Sequence, residues 1–137
     1  MYQKSTPQMN VYDFILPFGG ELDPEKRWVK MANLIPWNDF EDDYAANFSE
    51  EGPPAKPLRM ALGALIIQAK CSYTDEETLM QISEKPYLQY FIGLKEFQKE
   101  APFDPSLMTH FRKRLNFDVV QYINEKIIRC TMVLALV

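Results

Sequence analysis

Apolar residues recur at spacings of three and four along most of the chain beyond residue 22, and no sustained alternation interrupts them. This is the period of helices packed by one face, and the punctuation places each one. "LDPEKRWVKMANLI" turns Trp28, Met31, Ala32 and Ile35 inward, with Asp23 as the expected N-cap, Pro24 at the first helical position and Pro36 as the stop. "PWNDFEDDYAANF" repeats Trp37, Phe40, Tyr44 and Phe48, leaving Asp39, Glu41, Asp42 and Asp43 for an acidic outer face. "LRMALGALIIQAKCS" is apolar nearly all round, broken only by Arg59, Gln68 and Lys70, and belongs at the centre of a bundle. "TDEETLMQISEK" opens with a capping box, Thr74 with Glu77 three residues on, and buries Leu79 and Ile82, with Met80 beside them. Pro86 begins the short "PYLQYFIGL", filled by Tyr87, Leu88, Tyr90, Phe91 and Leu94. After the polar loop "KEFQKEAPF", Asp104 and Pro105 repeat the opening grammar of Asp23 and Pro24. A last helix over 117–137 carries apolar residues at 119, 120, 123, 127 and 128 and becomes wholly apolar at its end.

The fold class is therefore all-α, a compact multi-helix bundle. Five glycines and the absence of an Asn-Gly or Asp-Gly hairpin signal agree with that class. A length of 137 residues with 47% apolar content suits one domain with one core. Within it, 11–48 hold the N-terminal helices, the Gly/Pro-rich 49–57 a linker, 58–128 the core and a helix-turn-helix-like region, and 129–137 an apolar tail. No apolar run reaches the ~20 residues of a membrane span and the start lacks a leader pattern, so a soluble cytoplasmic protein without a membrane partner is expected. The two cysteines, Cys71 and Cys130, lack C-x-x-C spacing and are expected as reduced, buried thiols. One histidine and no Cys/His cluster leave metal and cofactor chemistry unsupported. No nucleophile, base and orienter group together, so no catalytic residue and no small-molecule substrate is expected.

Charge changes the picture locally. The chain carries a formal net charge of −4, yet residues 104–115, "DPSLMTHFRKRL", hold three cations and one acid, whereas residues 37–51 hold six acids and no Lys or Arg. On a wheel of ~100° per residue, Leu107, Met108, Phe111 and Leu115 fall in one sector. Ser106, Thr109, His110 and Lys113 fall opposite, with Arg112 and Arg114 at the margins. Such a helix can dock by one face and offer hydroxyl, imidazole and ammonium groups by the other, chemistry that a DNA major groove accepts. The plainer reading is a solvated face whose late cations oppose the negative end of the helix dipole, for about 0.3–1 kcal/mol each. Three short helices over 74–85, 86–93 and 104–115 are compatible with a helix-turn-helix-like arrangement read by the last, although the loop before 104 is longer than the usual turn.

"KPLRMALGALIIQAKCSYTDEETLMQISEKPYLQYFIGL" followed by "APFDPSLMTHFRKRL" resembles the N-terminal domain of bacterial insertion-sequence transposases whose catalytic domain is of the DDE, RNase H-like class. "FGGELDPEKRWVKMANLIPWNDFEDDYAANF" is similar to the same family, so the resemblance runs from about residue 11 to about residue 128. It implies a bacterial protein that recognises the terminal inverted repeats of its own mobile element as double-stranded DNA, associates with the nucleoid when bound, and can meet itself or the full-length transposase. The family's "DPS-L-HFRKRL" segment is matched by Asp104, Pro105, Ser106, Leu107, His110, Phe111, Arg112, Lys113, Arg114 and Leu115. The DNA-contacting residues expected from the wheel are Ser106, Thr109, His110, Arg112, Lys113 and Arg114. A complete transposase of this class would continue into strands and helices bearing three metal-binding carboxylates. "CTMVLALV" does not align with the family, and a truncated or frameshifted product without catalytic activity is the expectation. The alternatives are a protein-interaction or dimerisation module, built on the apolar tail and the aromatic N-terminal helices, and an inert remnant.

Overall fold

The helix of Leu58–Cys71, apolar nearly all round, is the one on which the later described helices pack. The structure, a computed structural model, describes residues 10–45, 55–115 and the single position 125. Its elements are helices α1 (Arg27–Leu34), α2 (Glu41–Ala45), α3 (Leu58–Cys71), α4 (Asp75–Glu84), α5 (Pro86–Phe91) and α6 (Leu107–Arg114), with 3-10 turns at Val11–Asp13 and Trp37–Phe40. Every residue of α3 from Leu58 to Ile67 is buried, because α4, α5, α6 and the 37–40 turn cover it from several sides. Gly63 lets the segment after α5 come close: a Cβ there would stand 3.1 Å from Ile92 Cγ2 and 3.3 Å from Ile92 Cα. The helix ends where Ser72 turns left-handed (φ 57°) and the Ser72 and Tyr73 amides both donate to the Gln68 carbonyl.

The all-α expectation holds, and so does the start of α4: Thr74 Oγ1 accepts from the Glu77 amide at 3.1 Å. Glu77's own carboxylate accepts from Gln81 Nε2. Met80 is exposed, while Thr78 joins Leu79 and Ile82 inside. Lys85 alone joins α4 to α5, and Pro86 occupies the first position of α5. Below this bend sits Gln89, fully buried. Its Nε2 donates to the carbonyls of Ile82 (2.9 Å) and Gln98 (2.8 Å), and its Oε1 accepts from the Gln98 amide (2.8 Å). One amide side chain thus fixes the end of α4 and the loop beyond α5, satisfying backbone groups that burial would otherwise leave unpaired. The same loop is clipped from its other side by the N-terminal segment. Ile15 donates to Lys95 O and accepts from the Phe97 amide, an isolated parallel bridge that the helical periodicity gave no reason to expect.

Three expectations need correction. Asp23 and Pro24 do not begin α1: Asp23 Oδ1 accepts from the Glu25 amide and its carbonyl from Lys26, a turn that hands over to a helix starting at Arg27. The proline's fixed φ of about −65° serves a turn as well as a helix start, so the dipeptide marks the entry and not the boundary. The helix expected over 36–48 begins as the 3-10 turn, with α2 following as five residues; Trp37 and Tyr44 are buried and Phe40 is half-buried. Glu41, expected on the acidic outer face, is buried, whereas Asp39 and Asp42 are exposed. Phe48, most of the linker 49–57, the helix expected over 117–137 and Cys130 lie outside the described residues. Cys71 is a half-buried free thiol. No helix among the described residues is long and apolar enough to cross a membrane.

Aromatic packing joins α1 to the core. Trp28 and Trp37 meet Phe91 edge-on, with ring centroids 4.9 and 5.5 Å apart, and Trp37 Nε1 donates to the Ala32 carbonyl at 3.0 Å. Phe14 meets Tyr90 in the same manner at 6.2 Å.

Candidate nucleic-acid interface

The Asp104–Pro105 pair builds a turn before it builds a helix. Asp104 Oδ1 accepts from the Ser106 amide at 2.9 Å, and the carbonyls of Asp104 and Pro105 accept from Leu107 and Met108. The Ser106 backbone N–H, then its side chain, hold the Asp104 carboxyl below its ordinary value. The α-helix proper starts at Leu107, so the expected N-cap is displaced for the same reason as at Asp23. At the other end Leu115 leaves helical geometry (φ −105°, ψ 121°), its amide donating to Phe111 O.

The helix docks as its periodicity requires. Met108, Phe111 and Leu115 are buried, Leu107 is half-buried, and Phe103 meets the Phe111 ring edge-on at 5.0 Å. Its main neighbour is α3 and not α5, from which residues 92–106 separate it. The six expected contact residues divide into two groups. Ser106, Thr109, His110, Arg112 and Lys113 are exposed and Arg114 is half-buried, but the guanidinium of Arg112 is engaged by neighbouring side chains. His110 and Lys113, three residues apart, point away from the bundle without a hydrogen bond or ion pair to the described residues.

The two arginines are held by the protein itself. Arg112 Nη1 and Nη2 donate to Asp75 Oδ1 and Oδ2 at 2.8 and 3.0 Å, a two-pronged pair. Nη1 also donates to Gln68 Oε1 at 3.1 Å and Nη2 to Thr109 Oγ1 at 3.3 Å, while Gln68 Nε2 donates to Asp75 Oδ1 at 2.7 Å. The Arg112 hydrogen bonds hold the Asp75 carboxyl below its ordinary value, and Asp75 in turn raises the guanidinium's. On the opposite margin Arg114 lies near Tyr44. Burial pushes the Tyr44 hydroxyl up to about 12, a rise that the Arg114 charge partly opposes. Asp75 and Gln68 were not among the expected site residues. Gln68 leaves a trace in the sequence as a polar break late in an apolar helix, whereas nothing in the sequence sets Asp75 apart from the other first-turn acids of α4, Glu76 and Glu77. Among the described residues, no group of three His, Cys, Asp or Glu side chains could hold a metal ion.

Residues 17–114 match a family model described as "Transposase domain (DUF772)", and the match takes in α1 through α6. The protein described as "Uncharacterized protein ORF8 in nfe locus" of Rhizobium meliloti is 35% identical over 94 residues, covering 69% of this chain and 45% of that protein. The chain thus spans less than half the length of that relative. No solved structure matches it.

Proposed function

Because the chain belongs to the DUF772 transposase-domain family, we propose that it is the DNA-binding module of an insertion-sequence transposase, recognising the inverted repeats at the ends of its element. The observation that carries this reading is the outward face of α6, which presents Ser106, Thr109, His110 and Lys113 on a helix whose other face is anchored in the core. A rigid helix with hydroxyl, imidazole and ammonium groups at spacings of three and four suits insertion into a major groove, the hydroxyls and imidazole toward base edges and Lys113 toward phosphate. The reading assigns the chain binding and no cutting step of its own. In a DDE transposase the cut would need carboxylates that hold two metal ions ~3.5–4 Å apart, and the exposed acids Asp39 and Asp42 lie on a solvated surface.

Replacing His110 and Lys113 together by Ala tests it. Circular dichroism is expected to be unchanged, because both side chains point to solvent, and affinity for the element's terminal duplex is expected to fall at least tenfold. Unchanged affinity would remove α6 from the interface.

A second reading, a protein-interaction module, draws on the N-terminal segment, where Tyr12 and Ile15 are about half exposed or more and Phe18 is 99% exposed. Trp28, Trp37 and Tyr44 do not support it, since all three pack into the chain's own core. Sedimentation of the wild type beside a Phe18→Ser variant separates the two readings: a concentration-dependent oligomer lost in the variant favours interaction.

A further inference from the structure

Arg112 stands in the middle of the basic run and matches the family segment, so charge alone would make it a phosphate contact. Its hydrogen-bond inventory says otherwise. A guanidinium has four N–H groups on its two terminal nitrogens and one on Nε. Here Nη1 donates to Asp75 and Gln68, and Nη2 to Asp75 and Thr109, which uses all four terminal groups. The fork that would grip a phosphate is occupied, and the Asp75 carboxylate cancels the charge that would attract one.

The partners come from three different helices. Gln68 lies in the last turns of α3, Asp75 at the first position of α4, and Thr109 with Arg112 on α6. Gln68 uses both ends of its amide, accepting from Arg112 and donating to Asp75, so the three side chains close a ring of hydrogen bonds. The apolar contact between α6 and α3 is non-directional and sets how deeply α6 sits. A two-pronged planar pair to a third helix fixes the rotation of α6 about its own axis, and with it the direction in which His110 and Lys113 point.

We propose that Arg112, through the Asp75–Gln68 clamp, is a positioning residue that sets the orientation of the DNA-reading face and does not itself contact DNA. The proposal rests on the DNA-binding reading of α6. The pair is only partly exposed, with 45% and 28% of the two side chains accessible, and it occupies the margin of α6 that faces the protein's own α4. Thr109 belongs to the clamp as much as to the reading face, because its hydroxyl accepts from Arg112.

The test uses the full 137-residue chain, a fluorescein-labelled duplex carrying the element's terminal repeat, and a KCl series at a temperature where every variant is fully folded. Arg112→Ala, Arg112→Lys and Asp75→Ala are each expected to weaken binding by about fivefold with the slope of log K against log salt unchanged. Lysine keeps the charge and loses the fork, so its failure to rescue is part of the expectation. The Asp75→Ala, Arg112→Ala double variant is expected to be no weaker than either single one, because both remove the same clamp. Lys113→Ala, in contrast, should lower the slope by about 0.9, the loss of one phosphate contact. The proposal is overturned if Arg112→Ala lowers the slope by that amount, if Arg112→Lys binds as wild type, or if Asp75→Ala tightens binding by removing an acid and freeing a cation. A wild-type chain that binds no duplex at low salt overturns the DNA reading itself, and this proposal with it.

Discussion

Arg59 is the residue at which sequence and structure say most about each other. It interrupts an apolar helix, which marks it as unusual, but periodicity alone would send it to solvent. It is instead buried, with Nε and Nη2 donating to the carbonyls of Phe91 (3.0 Å) and Tyr90 (2.8 Å) and its guanidinium 5.3 Å from the Trp37 ring and 5.2 Å from that of Tyr90. A cation at the end of α5 satisfies the Phe91 carbonyl, adds a second donor to the Tyr90 carbonyl that also accepts from the Gly93 amide, and opposes the helix dipole. Burial lowers the pKa of its guanidinium from the ordinary arginine value, with Tyr90 opposing that shift. Gly93 completes the arrangement: its φ of 90° is poorly accessible to other residues, and a Cβ there would stand 3.1 Å from Arg59 Cδ. Arg59→Met keeps the bulk and removes the donors, and is expected to destabilise the fold by about 2–4 kcal/mol in urea unfolding. A loss below ~0.5 kcal/mol would mean that the two carbonyls find other partners. The same logic separates Gln68 from an ordinary polar surface residue. Both interruptions were visible in the sequence, while their partners, up to 44 residues away, were not.

At the scale of elements, helices were legible wherever apolar spacing and punctuation agreed. The Thr74 capping box was placed to the residue because a side-chain acceptor three positions before its amide fixes a local geometry. The two Asp-Pro entries were displaced because that dipeptide closes a turn first. The 3-10 turn at Trp37–Phe40 and the pairing of Ile15 with the 95–97 loop were not legible, since each depends on contacts distant in sequence. The orientation of α6 belongs to the same class. Its inward face followed from spacing, but the withdrawal of Arg112 from solvent chemistry required knowing that α4 brings Asp75 beside it. That coupling has a pH signature. The folded Asp75 carboxyl lies below its unfolded value of about 3.9 because Arg112 donates to it, so its stabilisation is present above that value and is lost as pH falls through the folded one. Partial exposure limits the contribution to under ~1 kcal/mol. The wild-type unfolding midpoint is therefore expected to fall more than that of Asp75→Asn between about pH 5 and pH 2.5. Equal falls in the two proteins would show that the pair contributes nothing to stability.

For the molecule as a whole, net charge is a poor guide and its distribution a better one. A total of −4 would argue against a nucleic-acid partner if the charge were spread evenly. The described residues do not carry it evenly: Asp39 and Asp42 are exposed on the 37–45 segment, Glu41 is withdrawn into the interior, and α6 itself carries no acid. It also reduces the apparent cation count of the basic run, since Arg112 is neutralised by Asp75 and Arg114 is half-buried near Tyr44, leaving Lys113 as its outward charge. The interface is accordingly expected to have a shallow salt dependence, with base-edge and hydroxyl contacts carrying more of the selectivity than a strongly basic surface would allow. Fluorescence anisotropy of the purified chain, titrated across a KCl series with a duplex of the terminal repeats and with a scrambled duplex, tests this most directly. Tighter binding to the repeats is expected, with log K falling as salt rises by about 0.9 for each phosphate neutralised and only one or two such contacts from α6. Folded protein that binds neither duplex at low salt, or both equally well, would contradict it.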